Sequence, residues 1–438
     1  MQVKLGKEYW RLWSAHTISN LGDGISAIAY PWLASAVTRS PILIALIAVM
    51  SRLPWLIFTL IAGALTDRFD RKKIIVAMDS FRGLLTLVIA VTVWSERNNL
   101  PDLSQVAHHS QVKTNVLLYS VIALAALLFG FAEVLRDNSA QTLLPSVVSD
   151  ENLQKANGRL WSAEYLMNSL IGPPVGSFLI GVAVFLPFFF DAASFFVSAA
   201  LISTIAFTFP SRVQETQAKR SMRSEIKEGF QWLWNHELFR PMAIILGALN
   251  LVNGISTATF ILFAQEILNT SVFVFAILGT AGAIGGTIGG VLAPKLVAKI
   301  GSGKSLALTL IVGPIANLII GLTSTWEIVW VLTAFWVFFS VLWNVVTVSL
   351  RQSVVPPHLL GRVNSVYRFF GWGSIPLGSL LGGAIVSIVG RFADREISLR
   401  APYFVASLLS VAVLIFAVPR LTTEKIEATK AEAEKPSI

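Results

Sequence analysis

The chain has 438 residues, of which 54% are hydrophobic and only 13% charged, with a formal net charge of +9 at pH 7. A soluble domain normally carries about a quarter charged residues, so a water-facing surface of ordinary size cannot be assembled, and the apolar residues arrive in blocks near the roughly 20 that cross a bilayer as a helix. Zero cysteines remove disulfide and thiol chemistry, and the excess of Lys and Arg is spread over alternate connections rather than gathered into a nucleic-acid-binding patch.

Lipid satisfies no backbone polar group, so the spans must be helices or a closed barrel. Unbroken runs rich in Leu, Ile, Ala and Phe, without strict alternation, select helices. The expected spans lie near 12–37, 41–66, 74–95, 115–138, 157–181 and 185–209, then 241–267, 271–297, 305–323, 326–350, 362–389 and 400–419. Basic residues gather at Lys4, Lys7 and Arg11, at Arg68 to Lys73, at Lys155 and Arg159, at Arg212 to Lys227, at Lys295 to Lys304, at Arg351 and Arg362, and from Arg420 onward. These are alternate connections, so the positive-inside rule puts both termini in the cytoplasm and an even number of spans in the inner (plasma) membrane.

The first span carries Asn20, Asp23, Ala27 and Tyr30 on one helical face. Asp23 falls about 12 residues in, roughly 18 Å at helical rise, near the bilayer midplane. A carboxylate there costs on the order of 3 kcal/mol by insertion scales and marks a functional position by default. Asp23 is therefore the first candidate for a proton-carrying group, with Arg52, at similar depth in the second span, as its expected partner. The competing reading is a static ion pair that only orients two helices. A second group lies nearer the cytoplasm: Asp79 and Arg82, then Glu133, Arg136 and Asp137, then Glu164. Glu133 and Asp137 are one turn apart, and Arg82 is expected between them and Glu164. Most of these read as a structural network, with Glu133 the candidate protonation switch. Span five holds Gly172-Pro173-Pro174-Val175-Gly176, where small residues permit close helix approach and proline frees a carbonyl.

Residues 210–240 are polar and divide the spans six from six; Met222, Ile226, Phe230 and Leu233 share one helical face there, which fits a helix on the cytoplasmic membrane surface, or a plain solvated linker. The second half repeats the first. Asn20-Leu21-Gly22-Asp23-Gly24-Ile25-Ser26 returns as Asn250-Leu251-Val252-Asn253-Gly254-Ile255-Ser256, a shift of 230, and Asn157 and Gly176 return as Asn364 and Gly383, a shift of 207. The matching face of the second half is Asn250, Asn253, Thr257 and Phe260. Its spans hold Arg368 as their one expected charge, and offer Trp336, Trp343, Tyr367 and Trp372; with Trp161, Tyr165 and Asn168 these would line a broad, neutral, aromatic cavity for amphipathic organic compounds. Lipid-facing aromatics are the commoner explanation for any single one. Gly301-Ser302-Gly303-Lys304-Ser305 satisfies a loose phosphate-loop pattern, but it joins two membrane spans where a nucleotide site needs a strand before it. The charged, Ala-rich tail 421–438 is expected to be disordered.

Between spans two and three the chain reads Gly63-Ala64-Leu65-Thr66-Asp67-Arg68-Phe69-Asp70-Arg71-Lys72-Lys73. This resembles the cytoplasmic loop signature of the major facilitator superfamily, with Asp70 where the signature prefers Gly. Leu21-Gly22-Asp23, Asp79 and Arg82, Glu133, Asp191-Ala192-Ala193-Ser194-Phe195, Asn157 and Gly361-Arg362-Val363-Asn364 resemble the efflux branch that includes macrolide exporters and the enterobactin exporter. The resemblance implies an all-α membrane protein of twelve transmembrane helices in two pseudo-symmetric six-helix bundles, 1–209 and 241–420, joined by the linker 210–240 and followed by the tail 421–438. It also implies a gating relay of Asp67 and Arg71 with Asp137, in a motif that includes Gly63 and Arg68. The usual superfamily Arg in the middle of span four is replaced by Ala126. The expected function is secondary active, proton-coupled efflux of small organic compounds, drug-, macrolide- or siderophore-like, by alternating access. No enzyme activity, cofactor, metal or nucleic acid is expected; the expected partners are a small organic substrate, protons and the lipid bilayer, and the expected state is a monomer. Proton coupling falls to Asp23, Arg52 and Glu133; substrate contact falls to Asn20, Tyr30, Trp161, Tyr165, Asn168, Asn253, Phe260, Trp336 and Trp372. The alternatives are an uptake or facilitated-diffusion carrier of the same fold and, more remotely, a non-transporting membrane assembly factor.

Overall fold

The computed structural model describes residues 5–101, 112–148, 152–206 and 222–433, and every regular element among them is helical. The first part of the chain forms α1 (Lys7–Val37), α2 (Pro41–Arg68), α3 (Arg71–Glu96), α4 (Val116–Val147), α5 (Leu153–Glu164), a π-helical segment (Tyr165–Ile171), α6 (Gly172–Val182) and α7 (Leu186–Ser203). The second part forms α8 (Met222–Asn235), α9 (Phe239–Thr257), α10 (Phe260–Glu266), α11 (Val272–Ile300), α12 (Ser302–Leu322), α13 (Trp326–Val354), α14 (Pro357–Val389), α15 (Arg395–Ala417) and α16 (Thr423–Ala433).

The starts of these helices follow local chemistry. Proline stands in the first turn of α2, α7 and α14, where its missing N–H goes unmissed. Asp70, Asn115 and Asp394 cap α3, α4 and α15 through their side chains. Asp70 accepts the Lys72 and Lys73 N–H groups, so the residue that departs from the superfamily glycine is the one that starts α3.

Eleven helical stretches among the described residues are long and apolar enough to cross a membrane. Helix α1 is not one of them, although its 31 residues are ample in length, because polar residues interrupt it. Large apolar side chains remain exposed on the helices, among them Phe178 at 70%, Leu408 at 71% and Ile415 at 69%. Water would penalise that surface, whereas lipid tails solvate it.

The chain forms two compact units, residues 1–212 with 261–280, and residues 213–260 with 281–438. In unit 1, α1 packs chiefly on α7, α6 and the π segment, α3 on α7 and α4, and α2 on α4. In unit 2, α9 packs on α14 and α15, and α12 on α15 and α13. Helix α8 docks on α14: Leu233 is fully buried, Trp234 stacks on Phe370, and Glu228 pairs with Arg362 at 2.6 Å, while Ile226 and Phe230 stay exposed.

The expectation of a disordered tail is corrected over 423–433, which forms α16. Leu421 and Ile426 are buried in the unit 2 core with Leu306, Leu310 and Val363, and that burial holds a weakly apolar helix in place. The glycine of the loose phosphate-loop pattern serves this docking. A Cβ on Gly303 would lie 2.2 Å from the Thr423 nitrogen, so the tail backbone packs directly on this glycine. Ile426→Ala is expected to cost roughly 2–5 kcal/mol of local stability. Amide hydrogen exchange over 421–433 measures it, with protection lost in the variant and kept in α15.

A buried charge network as candidate functional site

Helices α1, α3, α4 and α7 build a charged chain inside unit 1. Arg82 on α3 is 2% exposed; its Nη2 donates to Asp23 Oδ1 on α1 at 2.7 Å, and its Nη1 lies 3.5 Å from Asp79 Oδ1 one turn back. The guanidinium is held between the rings of Phe129 and Phe195, with centroids at 4.5 and 4.1 Å. Asp79 accepts from Ser198 Oγ at 2.8 Å on α7 and lies 3.4 Å from Arg136 Nε on α4. Arg136 in turn lies 3.3 Å from Asp137. The sequence Asp23, Arg82, Asp79, Arg136, Asp137 therefore alternates in sign. Its middle is dry and its ends are not: Asp79 is 0% exposed, against 25% for the Asp23 side chain and 36% for Asp137. Removing one member strands its partners in low dielectric.

Asp191 on α7 stands beside this chain. It is fully buried, Ser26 Oγ donates to its Oδ2 at 2.5 Å, and its Oδ1 has no hydrogen-bond partner. Gly22 leaves room for it, since a Cβ there would sit 2.5 Å from Asp191 Oδ1. Three carboxylates, Asp23, Asp79 and Asp137, thus share two guanidiniums, Arg82 and Arg136, and a fourth, Asp191, is buried beside them. Sequence reasoning had singled out Asp191 only as part of a motif; its signal was an acid inside a span, the same signal that pointed to Asp23.

Two expected pairings are corrected. Asp23 pairs with Arg82, whereas Arg52 is exposed. Equal depth does not join side chains, because α2 lies against α4 while α1 lies against α7 and α6. Glu164 is 48% exposed and 3.5 Å from His16, away from Arg82. Glu133 is half-buried and accepts from Trp55 Nε1 at 3.4 Å. Of the gating residues, Arg71 opens α3 and Asp137 lies against Arg136. Gly63, Asp67 and Arg68 belong to α2, and their surroundings lie outside the described residues.

The substrate-contact residues fare unevenly. Asn20 is buried and bonds the His16 carbonyl at 2.8 Å. Tyr30 packs edge-on to Phe188, with centroids 5.2 Å apart. Trp161 and Tyr165 are exposed at 60% and 53%, and Asn168 is half-buried. In unit 2, Trp372 is exposed, Asn253 and Phe260 are half-buried, and Trp336 lies over Gly313, where a Cβ would meet its ring at 2.9 Å. Trp343 and Tyr367, expected as cavity aromatics, are instead buried in the unit 2 core. No grouping among the described residues would hold a metal ion.

Glycine contacts fix how α1 meets the fifth span. A Cβ on Gly24 would lie 2.7 Å from the Asn168 carbonyl oxygen, and one on Gly176 would lie 2.5 Å from that of Ile25. Unit 2 repeats the pattern: Gly254 faces the Ile375 carbonyl at 2.5 Å, and Gly382 faces that of Ile255 at 2.4 Å. Asn168 and Ile375 are 207 residues apart, but Gly176 and Gly382 are 206 apart, so the packing partner of Gly176 is Gly382 rather than the expected Gly383. The first half therefore holds one surplus residue between 168 and 176. There Pro173 and Pro174 offer no N–H, and the Gly172 N–H bonds the Met167 carbonyl five residues back, the wide turn of a π-helix.

A further clasp involves the end of α1. Arg39 donates to Gln265 and lies 3.6 Å from Glu266, and Gln265 donates to Ser35 Oγ at 2.9 Å, all within unit 1.

Comparison with known proteins bears on this geometry. The chain is 23% identical to the multidrug efflux pump Tap of Mycobacterium tuberculosis over 398 residues, 89% of each chain. It is 23% identical to the enterobactin exporter EntS of Escherichia coli over 406 residues, 92% of this chain and 90% of EntS. Among solved structures, a mutant of the nucleoside transporter NupG superposes with a TM-score of 0.72 at 11% identity, covering 97% of this chain and 100% of NupG. A bacterial homologue of the iron transporter ferroportin, in an inward-facing state, gives 0.70 at 15% identity over 95% and 99%. The sequence profile of the Major Facilitator Superfamily matches residues 12–379, and the chain belongs to that superfamily of multi-pass membrane transporters, which are not enzymes.

Proposed function

We propose that the protein exports small organic compounds across the bacterial plasma membrane in exchange for protons, by alternating access. Twelve spans in two six-helix bundles, with both termini in the cytoplasm, complete the reading. The observation that carries it is the alternating charge chain of unit 1, open at its Asp23 end, with Asp191 fully buried beside it. With three acids sharing two arginines and a fourth acid, Asp191, fully buried beside them, the cluster approaches neutrality by taking up protons. Asp23 is the terminal, partly open member, and it shares Arg82 with Asp79. Protonation there would release Arg82 toward Asp79, and substrate binding would favour the opposite state. Glu133 and Asp191 are the auxiliary acids, with Arg52 a peripheral charge. Export, rather than uptake, is supported by the names of the relatives Tap and EntS.

Substrate contact would fall to Asn20, Tyr30, Trp161, Tyr165 and Asn168 in unit 1 and to Asn253, Phe260, Trp336 and Trp372 in unit 2, a neutral, aromatic set suited to amphipathic compounds. The loop of Gly63, Asp67, Arg68 and Arg71 would gate the cytoplasmic side with Asp137. The chain would work as a monomer.

Inside-out vesicles test the reading. A fluorescent compound panel is expected to accumulate with a pH gradient and to leave when the gradient collapses. Asp23→Asn should abolish gradient-driven accumulation while purified protein still binds the compound. Full gradient-driven flux in that variant removes Asp23 from the mechanism; equilibration that ignores the gradient in the wild type makes the protein a facilitator.

A further inference from the structure

Unit 2 holds a buried cation that the unit 1 network does not include. Among the described residues four arginines are less than a tenth exposed: Arg39, Arg82, Arg136 and Arg351. The first three each meet a carboxylate within 4 Å, whereas no described acid reaches Arg351. Its Nε donates to Asn364 Oδ1 at 2.9 Å, and its guanidinium lies 4.0 Å over the ring of Tyr367. Its Nη1 is buried without a hydrogen-bond partner.

Three more buried polar atoms around it are also without a partner: Trp343 Nε1, Thr347 Oγ1 and Tyr367 Oη. Their residues are 3%, 1% and 3% exposed. Trp343, Thr347 and Arg351 follow one another at intervals of four and share one face of α13. The Tyr367 hydroxyl on α14 is approached by all three within side-chain hydrogen-bonding reach, none of them in good bonding geometry, and its one oxygen can accept only part of their hydrogens. An indole and a guanidinium only donate, and a hydroxyl can donate, so the cluster offers more hydrogens than it has acceptors to receive them. One ill-placed donor would be unremarkable; an excess of donors gathered around a buried charge with no acid beside it calls for a negative acceptor.

We propose that Trp343, Thr347, Arg351, Asn364 and Tyr367 form a binding site for an oxyanion, the carboxylate or phosphate group of an amphipathic molecule. Arg351 supplies the charge and the free Nη1 edge of its fork, Asn364 fixes the guanidinium from behind, and Tyr367, Thr347 and Trp343 donate to the remaining oxygen lone pairs. Val346, Leu350, Val363 and Val366 are buried in the same cluster, an apolar setting that suits a ligand with a hydrocarbon body. The donors are covered in this conformation. Helices α13 and α14 touch each other sparingly compared with α14 and α9, so the seam between α13 and α14 is the way in.

The test is binding to purified full-length protein in neutral detergent and in nanodiscs, and it stands apart from transport and from proton coupling. The probes are inorganic phosphate, benzoate, and phosphatidylglycerol against phosphatidylcholine, read by calorimetry and native mass spectrometry. At least one anion is expected to bind, and Arg351→Gln to weaken it at least about tenfold, the loss expected of a charged hydrogen bond. Tyr367→Phe, which keeps the ring and removes the hydroxyl, and Thr347→Val are expected to weaken it about fivefold each. Benzoate binding alone identifies an organic acid as the ligand, selective retention of phosphatidylglycerol a lipid headgroup, and phosphate alone a free ion. Should Arg351→Gln fail to fold, the Tyr367 and Thr347 variants decide. The proposal is overturned if none of the anions binds more tightly than about 10 mM, or if the variants bind as the wild type does.

Discussion

Arg82→Met is expected to destabilise unit 1 by about 3–5 kcal/mol, the cost of stranding a buried charge by removing its partner. Methionine keeps an unbranched stem between Phe129 and Phe195, so the lost packing is small and the lost charge dominates. Asp79, fully buried, would keep only Arg136 at 3.4 Å and the Ser198 hydroxyl, and Asp23 would lose its 2.7 Å partner. Thermal unfolding in detergent measures the effect. Adding Asp23→Asn to Arg82→Met should return about 1–3 kcal/mol, because the second change removes a stranded carboxylate. Arg52→Met serves as the contrast: an exposed arginine should shift stability by no more than about 0.5 kcal/mol. Equal melting of the Arg82 and Arg52 variants would mean that the alternating chain of charges contributes nothing.

Gly172→Ala is expected to be nearly as damaging, at about 3 kcal/mol or more, for a purely steric reason. The new Cβ would fall 2.5 Å from Gly24 Cα and 2.7 Å from the Met167 carbonyl oxygen. Both neighbours are backbone, so no side chain can swing aside, and α1 must move off the fifth span. Gly382→Ala should act alike in unit 2, with its Cβ 2.4 Å from the Ile255 oxygen. Gly181→Ala is the control, since nothing lies within 4 Å of the added atom. In a helix that change gains up to about 1 kcal/mol of propensity. Thermal unfolding that ranks Gly181→Ala with the other two would remove the tight crossing as a source of stability.

The fold was largely legible because hydropathy and helix length are properties of single segments. Span positions and the presence of an acid inside the first span at Asp23 could be taken from the chain directly. Partners were harder. Depth along a helix can be counted, but which faces meet depends on packing, and so Asp23 was matched by depth to Arg52 when the long stem of Arg82 reaches it. Arg351 was misjudged for a related reason. It was counted among the charges of a cytoplasmic connection, yet α13 continues to Val354 and carries it into the core. Aromatic residues gave no signal of direction at all: Trp343 went inward and Trp161 outward, although both sit in apolar helical sequence. The tail looked disordered by composition, and only Leu421 and Ile426, two apolar residues among charges, hinted that it docks.

The wide turn at Tyr165–Ile171 has a consequence for how the two halves correspond. An extra residue in an uninterrupted α-helix would rotate everything on one side of it by about 100° relative to the other. Spending that residue in a π turn keeps both flanks in phase with their counterparts: Tyr165 stays matched to Trp372, both exposed aromatics, while Gly176 stays matched to Gly382. One position more between Asn168 and Gly176 than between Ile375 and Gly382 is thus accommodated without either face turning away from its neighbour.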